Sequence, residues 1–160
     1  MQRVRNEPAD GAFAATTRPG WNEPWEPPPK WNGPVNHGEW TGPRGNSNWI
    51  DHRPEVIKIV GIDPATGKAN PIPFYKGEVD FSNWSRGDLT VPGLQGTKVN
   101  SNADMAKILE AVAEKEGLPS STAARRWLNE RGLSPHHAGG DTVQLVPRDL
   151  HKVQHTDPTH

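Results

Sequence analysis

The sequence predicts an α+β fold, with a loop-rich, short-stranded N-terminal half and a C-terminal half that holds two helices and a ββα unit. Three observations predict it: two short β-like segments in the middle third, two amphipathic helical patterns after residue 100, and a turn, strand and short helix at the end. The 160 residues include 17 prolines and 16 glycines, and 32% are hydrophobic. This composition indicates one modest core with irregular segments around it.

Residues 1–35 contain seven prolines and few aliphatic residues, so they are predicted to form an extended arm or linker. Trp21, Trp25 and Trp31 are spaced along this arm. Such tryptophans either anchor an arm onto its own domain or contact a partner chain, and anchoring is the favoured interpretation. Residues 36–160 are predicted to form a single domain.

The middle third predicts two short strands. Residues 55–62 contain enough β-branched residues for the first. The dipeptides at 66–67 and 76–77 both end in glycine and mark turns. Residues 72–75 are predicted to form an edge strand, because Pro73 cannot donate a backbone hydrogen bond.

Residues 101–132 predict two helices. Ser101 or Asn102 can cap the first, which Gly117 ends. Ser120 or Ser121 starts the second, and Gly132 stops it. Apolar residues recur at helical spacing in both segments. They are Met105, Ile108, Leu109 and Val112 in the first helix and Ala124, Trp127 and Leu128 in the second.

The C-terminal segment PHHAGGDTVQLVPRDLHKVQH predicts a ββα unit over residues 134–156. Its glycine pair marks a turn and residues 142–146 have strand character. Pro147 suits the first position of a helix, and that helix is expected to run through His155.

Four of the seven histidines fall in this segment, and the chain has no cysteine, so a transition metal would need His, Asp or Glu ligands. His151 and His155 are four residues apart and would share one face of a helix. His136 and His137 are neighbours on an extended segment and would point to opposite sides. One could then bind a metal while the other faces a substrate.

This arrangement, with QLVPRDLH between its parts, resembles the HNH and endonuclease VII superfamily of ββα-metal (His-Me finger) nucleases. More narrowly it resembles the toxin domains at the C-termini of bacterial polymorphic toxins. The upstream phrases GEWTGPRGNSNWI and VDFSNWS also look like that family. Two features depart from the pattern: Ser134-Pro135 stands where relatives often have an aromatic residue, and the chain ends in TDPTH instead of a glycine-rich segment.

The resemblance implies a role for each histidine. His137 matches the general base, and His136, His151 and His155 match the ligands of one divalent metal ion. Imidazole suits Zn or Ni, while the resemblance also admits Mg or Mn. Arg148 and Lys152 lie close enough in sequence to contact phosphate, although ordinary solvated charges explain them equally well. His37, His52 and His160 are not expected to be ligands.

The function implied is a metal-dependent endonuclease toxin that cleaves DNA with little sequence specificity in competition between bacteria. The resemblance further implies a cognate immunity protein and a larger secreted or injected toxin that acts in the cytoplasm of the target bacterium. The net charge of -1 argues against nucleic-acid binding. The segment between residues 118 and 155 is nevertheless mildly positive, because it contains five basic and three acidic residues.

Two alternatives remain open. A ribonuclease toxin of the same fold is the nearer one. The other is a metal-stabilised binding module that docks a partner through its tryptophans, with Asp141 or Asp157 as a fourth ligand. A metalloprotease is disfavoured because HExxH is absent. The chain is also expected to be soluble, without a membrane segment or a signal peptide of its own.

Overall fold

The structure, a computed structural model, has an α+β fold and describes residues 25–95 and 97–155, with the backbone alone described at 97–101. The helices in these residues are α1 (Pro54–Val60), α2 (Thr97–Glu116), α3 (Ser121–Arg131) and α4 (Arg148–His151). The strands are β1 (Gly38–Trp40), β2 (Asn48–Asp51), β3 (Ile62–Asp63), β4 (Lys68–Ala69), β5 (Ile72–Tyr75), β6 (Glu78–Val79), β7 (Asp88–Thr90), β8 (Leu133–His137) and β9 (Thr142–Pro147).

The described chain divides into two compact units. The first contains residues 25–81 and 152–155, and the second contains residues 82–151. The domain predicted at 36–160 therefore spans both. Within the described residues, no helix is both long enough and apolar enough to cross a membrane.

The first unit contains a four-stranded antiparallel sheet in the order β1-β2-β5-β6 and a small β3-β4 hairpin. Aromatic rings fill its core. The Trp31 ring lies 6.3 Å from Trp40 and 6.4 Å from Phe74, and Trp25 packs edge-on against Trp31 at 5.9 Å. Trp25 and Trp31 thus anchor the proline-rich segment, as expected, while Trp21 lies outside the described residues.

The strand predicted at 55–62 is wrong over most of its length, because Pro54–Val60 is the helix α1. Pro54 occupies the start of the helix, where its missing N–H costs nothing. Val56 and Val60 are buried four residues apart, so the same β-branched residues form one helical face. Gly61 ends the helix at φ 85°.

The strand predicted at 72–75 is confirmed as β5, but it is not an edge strand. Its first half pairs with β2 and its second half with β6. Pro73 is accommodated because its carbonyl accepts from the N–H of Asp80 at 2.9 Å, while the N–H of Phe74 donates to Ser47 at 3.0 Å. The predicted turn at 76–77 joins β5 to β6, with positive φ at Lys76 and Gly77.

The second unit packs α2 and α3 against one face of the three-stranded antiparallel sheet β7-β9-β8. The predicted apolar faces of both helices enter this core. Its buried members are Leu89, Val91, Ile108, Leu109, Val112, Ala113, Ala124, Leu128, Leu133, Val143 and Leu145.

The helix α3 follows its sequence signals closely. The Ser120 hydroxyl accepts from the N–H of Ala123 at 3.1 Å, and Gly132 adopts the left-handed conformation at the other end. The helix α2 ends before Gly117 as predicted but begins at Thr97, so Ser101 and Asn102 lie inside it. Serine and asparagine inside a helix lower its stability by only about 0.7 kcal/mol or less relative to alanine, so they do not prevent the helix from starting earlier.

The order of strand, strand and helix predicted near the C-terminus is present as β8, β9 and α4. The predicted helix through His155 is wrong in its second half. The α-helix ends at His151 and a 3-10 turn follows at Lys152–Gln154. The α-helix therefore does not continue to His155, and the i, i+4 helical spacing predicted for His151 and His155 is not maintained.

Candidate functional site

The strand β8 places His136 and His137 on opposite faces of its sheet. In the antiparallel register, His136 is opposite Gln144 and His137 is opposite Val143. Val143 belongs to the core that packs on α2 and α3, so His137 lies on that face. His136 and Gln144 share the other face. The alternation predicted for neighbouring histidines is therefore present in the structure.

His136 and His151 form a close pair. Their ring centroids are 5.5 Å apart, with the rings inclined at 73°. His136 is 8% exposed on β8, and His151 is half-buried as the last residue of α4. Leu150, fully buried beside it, holds the short helix in place. Two of the three predicted ligands are thus brought together within the second unit.

Gln144 lies on the same sheet face as His136, and no role was predicted for it from the sequence. Its side chain is 6% exposed. The amide Nε2 donates to the Ser82 hydroxyl at 3.2 Å. The amide oxygen Oε1 is buried without a hydrogen-bond partner among the described residues. The only signal for Gln144 in the sequence was the alternation of side chains along a strand. This alternation puts Gln144 on one face of the sheet and Val143 and Leu145 on the other.

On the other face, His137 contacts a buried carboxylate from α2. Its Nε2 lies 3.2 Å from Oδ2 of Asp104, which is fully buried. Both carboxylate oxygens of Asp104 also accept from the backbone N–H of Gln95, at 2.9 and 3.1 Å. A carboxylate at Nε2 favours the proton there and leaves Nδ1 as the acceptor nitrogen. Sequence reasoning missed Asp104.

His155, the third predicted ligand, lies in the first unit just after the 3-10 turn. Its Nδ1 is 3.4 Å from Oδ1 of Asn32. Partial desolvation lowers the pKa of His155 below its ordinary value of 6.5, which favours the neutral imidazole that a metal ligand needs. No contact described in this unit assigns it to a metal, so its role stays a prediction.

The two basic residues predicted to touch phosphate have contacts within the protein. In the second unit, Nη2 of Arg148 donates to Oδ1 of Asn129 at 2.9 Å and to the carbonyl of Leu133 at 3.2 Å. In the first unit, Lys152 donates to Glu55 at 2.5 Å and lowers the pKa of that carboxyl group. Both residues are exposed, and their role in binding phosphate stays a prediction.

His136, His151 and Gln144 offer nitrogen and oxygen donors of the kinds that bind divalent ions, but only two of them are histidines and none is a carboxylate. Among the described residues, no group of three or more His, Asp or Glu side chains is arranged to hold a metal. The His136 and His151 rings nevertheless supply two imidazoles at close range. Opposite His136 in the strand register is Gln144, whose buried amide oxygen has no hydrogen-bond partner in the part of the chain that the structure describes. Nitrogen and oxygen donors together suit first-row divalent ions.

The other histidines were not expected to be ligands, whereas Asp141 and Asp157 were the aspartates considered as a fourth ligand. His52 pairs with Glu39 at 2.9 Å in the first unit, and His37 is exposed at a positive φ. Asp141 is exposed in the turn between β8 and β9. Asp157 and His160 lie outside the described residues.

Comparison of the chain with protein-family models, with curated proteins and with solved structures found no match.

Proposed function

We propose that this chain is a metal-dependent endonuclease of the HNH and endonuclease VII type, hydrolysing phosphodiester bonds of DNA with little sequence specificity. The observation that carries the proposal is that the two adjacent histidines of β8 have different contacts. His136 meets a second histidine at 5.5 Å, whereas its neighbour His137 is held by a buried carboxylate. An imidazole oriented by a carboxylate suits a general base, and an imidazole beside a second one suits a metal ligand.

His137 acts as the general base. A neutral imidazole can accept a proton from a water molecule, which is the task of a general base. With the Nε2 proton directed at Asp104, Nδ1 accepts a proton from water. The resulting hydroxide attacks phosphorus, the bond to the 3′-oxygen breaks, and that oxygen takes up a proton from solvent.

His136 and His151 hold the metal, with His155 as the further ligand that the resemblance implies. A divalent ion bound there supplies Lewis-acid stabilisation for the charge that develops on phosphorus and on the leaving oxygen. Mg, Mn, Ni and Zn are the ions to test. Arg148 and Lys152 would contact the backbone of the substrate, which requires each to exchange an internal hydrogen bond for a phosphate.

The biological setting rests on the resemblance of PHHAGGDTVQLVPRDLHKVQH to toxin domains. On that basis the chain is the cytotoxic segment of a larger secreted or injected bacterial protein. It acts in the cytoplasm of the target cell, and a cognate immunity protein inhibits it in the producer.

The test is cleavage of supercoiled plasmid DNA with each of Mg, Mn, Ni and Zn, beside tRNA and rRNA under the same conditions. We expect nicking and linearisation of DNA with at least one ion. His137→Ala should lose activity but keep metal binding, whereas His136→Ala and His151→Ala should lose both. His52→Ala, which removes an exposed histidine of the first unit, is the matched control.

Three outcomes contradict the proposal in different ways. Intact plasmid with every ion, and no difference between wild type and His137→Ala, excludes the nuclease. Cleavage of RNA but not of DNA would show that the protein is a ribonuclease, the nearer alternative. Strong thermal stabilisation by Zn without hydrolysis of either nucleic acid favours the structural metal clip.

A further inference from the structure

Gln144 is a buried amide whose oxygen the described protein atoms do not satisfy. The residue is 6% exposed, and Oε1 lacks a hydrogen-bond partner among the described residues while Nε2 is engaged by Ser82. A buried polar atom without a partner is unfavourable, and native proteins rarely keep one without a reason such as an ion. A bound ion is one such reason, and the surroundings of Gln144 bear on it.

The location of Gln144 narrows the nature of that ligand. Gln144 is directly opposite His136 in the register of β8 and β9, so the two side chains lie side by side on one face. His136 in turn contacts His151 across a centroid distance of 5.5 Å. All three residues belong to the second compact unit. The amide of Gln144 thus lies on the sheet face that carries His136, whose ring contacts that of His151.

We propose that the side-chain oxygen of Gln144 is a protein ligand of the divalent ion, completing a set of two imidazole nitrogens and one amide oxygen with His136 and His151. This inference rests on the metal-dependent function proposed above and extends it. It assigns Ser82 a supporting role, because the hydrogen bond from Nε2 to its hydroxyl turns the oxygen side of the amide away from Ser82.

The proposed set predicts which ions respond to Gln144. Carbonyl oxygens are preferred by hard cations such as Mn²⁺ and Mg²⁺, whereas imidazole suits Zn²⁺ and Ni²⁺. Removing the amide oxygen should therefore weaken Mn²⁺ binding more than Zn²⁺ binding. Removing either histidine should weaken both.

Isothermal titration of the purified chain with MnCl₂ and with ZnCl₂ tests the assignment without any measurement of activity. Gln144→Leu keeps the approximate shape of the side chain and removes the oxygen. We expect it to lower Mn²⁺ affinity by about 10- to 100-fold, a loss that changes around metal sites commonly produce. The matched control is Asn48→Leu in the first unit, which removes a second buried amide oxygen that has no hydrogen-bond partner among the described residues.

A second variant covers the possibility that Gln144→Leu does not fold. Gln144→Glu keeps an oxygen donor but buries a charge, so the metal-free protein should melt at a lower temperature than wild type. Mn²⁺ should then raise its melting temperature by more than it raises that of wild type. Equal or smaller stabilisation by Mn²⁺ would contradict the proposed ligand.

The outcomes separate this inference from the proposed function. A selective loss of Mn²⁺ affinity in Gln144→Leu, absent from Asn48→Leu, supports the ligand role. Unchanged Mn²⁺ affinity in Gln144→Leu, with losses in His136→Ala and His151→Ala, overturns the ligand role and leaves the nuclease proposal standing. Equal losses in Gln144→Leu and Asn48→Leu also overturn it. A wild-type chain that binds none of the ions overturns both.

Discussion

Nε2 of His137 lies 3.2 Å from Oδ2 of Asp104, although 33 residues separate the two along the chain. The strand β8 contributes the imidazole, and the helix α2 contributes a carboxylate that is fully buried. An imidazole held in this way has one nitrogen committed to the protein and one left for chemistry. The contact gives the adjacent histidines of β8 different surroundings.

The first prediction concerns this contact. Positioned bases contribute about 10²- to 10⁴-fold to rate, so His137→Ala should lose DNA cleavage by that order. Asp104→Asn should lose less, since the base is retained but its tautomer and orientation are not held. The loss should appear in kcat at saturating DNA, and Mn²⁺ affinity should stay unchanged. Single-turnover cleavage and metal titration measure the two quantities.

Glu110→Gln, on an exposed position of the same helix, controls for nonspecific effects of substitution in α2. If Asp104→Asn cleaves DNA at the wild-type rate, the positioning role is wrong. Loss of metal affinity in Asp104→Asn would mean that Asp104 acts on the metal site instead.

The second prediction concerns the buried carboxylate of Asp51 in the first unit. Asp51 accepts from the Trp49 indole at 2.9 Å and from Nε and Nη2 of Arg53 at 2.9 and 2.8 Å. Removing one partner of a buried ion pair leaves the other charge uncompensated. Asp51→Ala should therefore lower the free energy of unfolding of this unit by about 3–5 kcal/mol. Urea unfolding followed by tryptophan fluorescence measures it.

Lys58→Ala, on the exposed side of α1, should change the same quantity by only about 0.5 kcal/mol or less. A similar effect from both substitutions would show that the Asp51 network adds little to stability.

The third prediction concerns the ends of α3, which leads into β8. Ser120→Ala should cost about 1 kcal/mol because the N-terminal cap to Ala123 is lost. Gly132→Ala should cost about 1–2 kcal/mol, since the backbone at φ 65° disfavours a side chain. Thr122→Ala, exposed within the same helix, is the control and should stay near wild type. Thermal unfolding measures these differences. A melting temperature of Thr122→Ala as low as those of the two cap variants would contradict these assignments.

The fourth prediction concerns pH. Hydrogen bonds from His52 and then Lys68 hold the pKa of Glu39 below its ordinary value of 4.5. A carboxyl group with a lowered folded-state pKa stabilises the fold above pH 4.5, and this contribution disappears as the pH falls through the folded-state pKa. Glu39→Gln should therefore lose less stability than wild type on acidification. Thermal unfolding of wild type and Glu39→Gln at several pH values below 4.5 measures this difference. If the two proteins lose the same stability on acidification, the assignment is wrong.

Local signals explain which elements the sequence predicted well. The caps of α3, the glycine that ends α2 and the turn between β5 and β6 all depend on residues within a few positions of each other. The strand character of residues 142–146 correctly indicated β9. Local patterns also predicted a short helix near Pro147, although Pro147 is the last residue of β9 and the helix begins at Arg148. They also predicted that His136 and His137 point to opposite sides of their strand.

Two errors came from patterns that admit more than one structure. The β-branched residues at 55–62 suit a strand, yet Pro54 at the helix start and the i, i+4 spacing of Val56 and Val60 allow α1. The helix predicted through His155 becomes a 3-10 turn after His151. In neither case does the local sequence alone decide, because packing energy outweighs small differences in propensity.

The sequence by itself determined the α+β class and the order of strands and helix around the histidines. Only the tertiary structure decided that Asp104 reaches His137 and that His136 faces His151. It also decided that Gln144 is buried with an oxygen lacking a described partner. The physical reason is that these contacts join strands and helices distant in sequence, and their register and packing follow from burial of the whole core rather than from any local pattern.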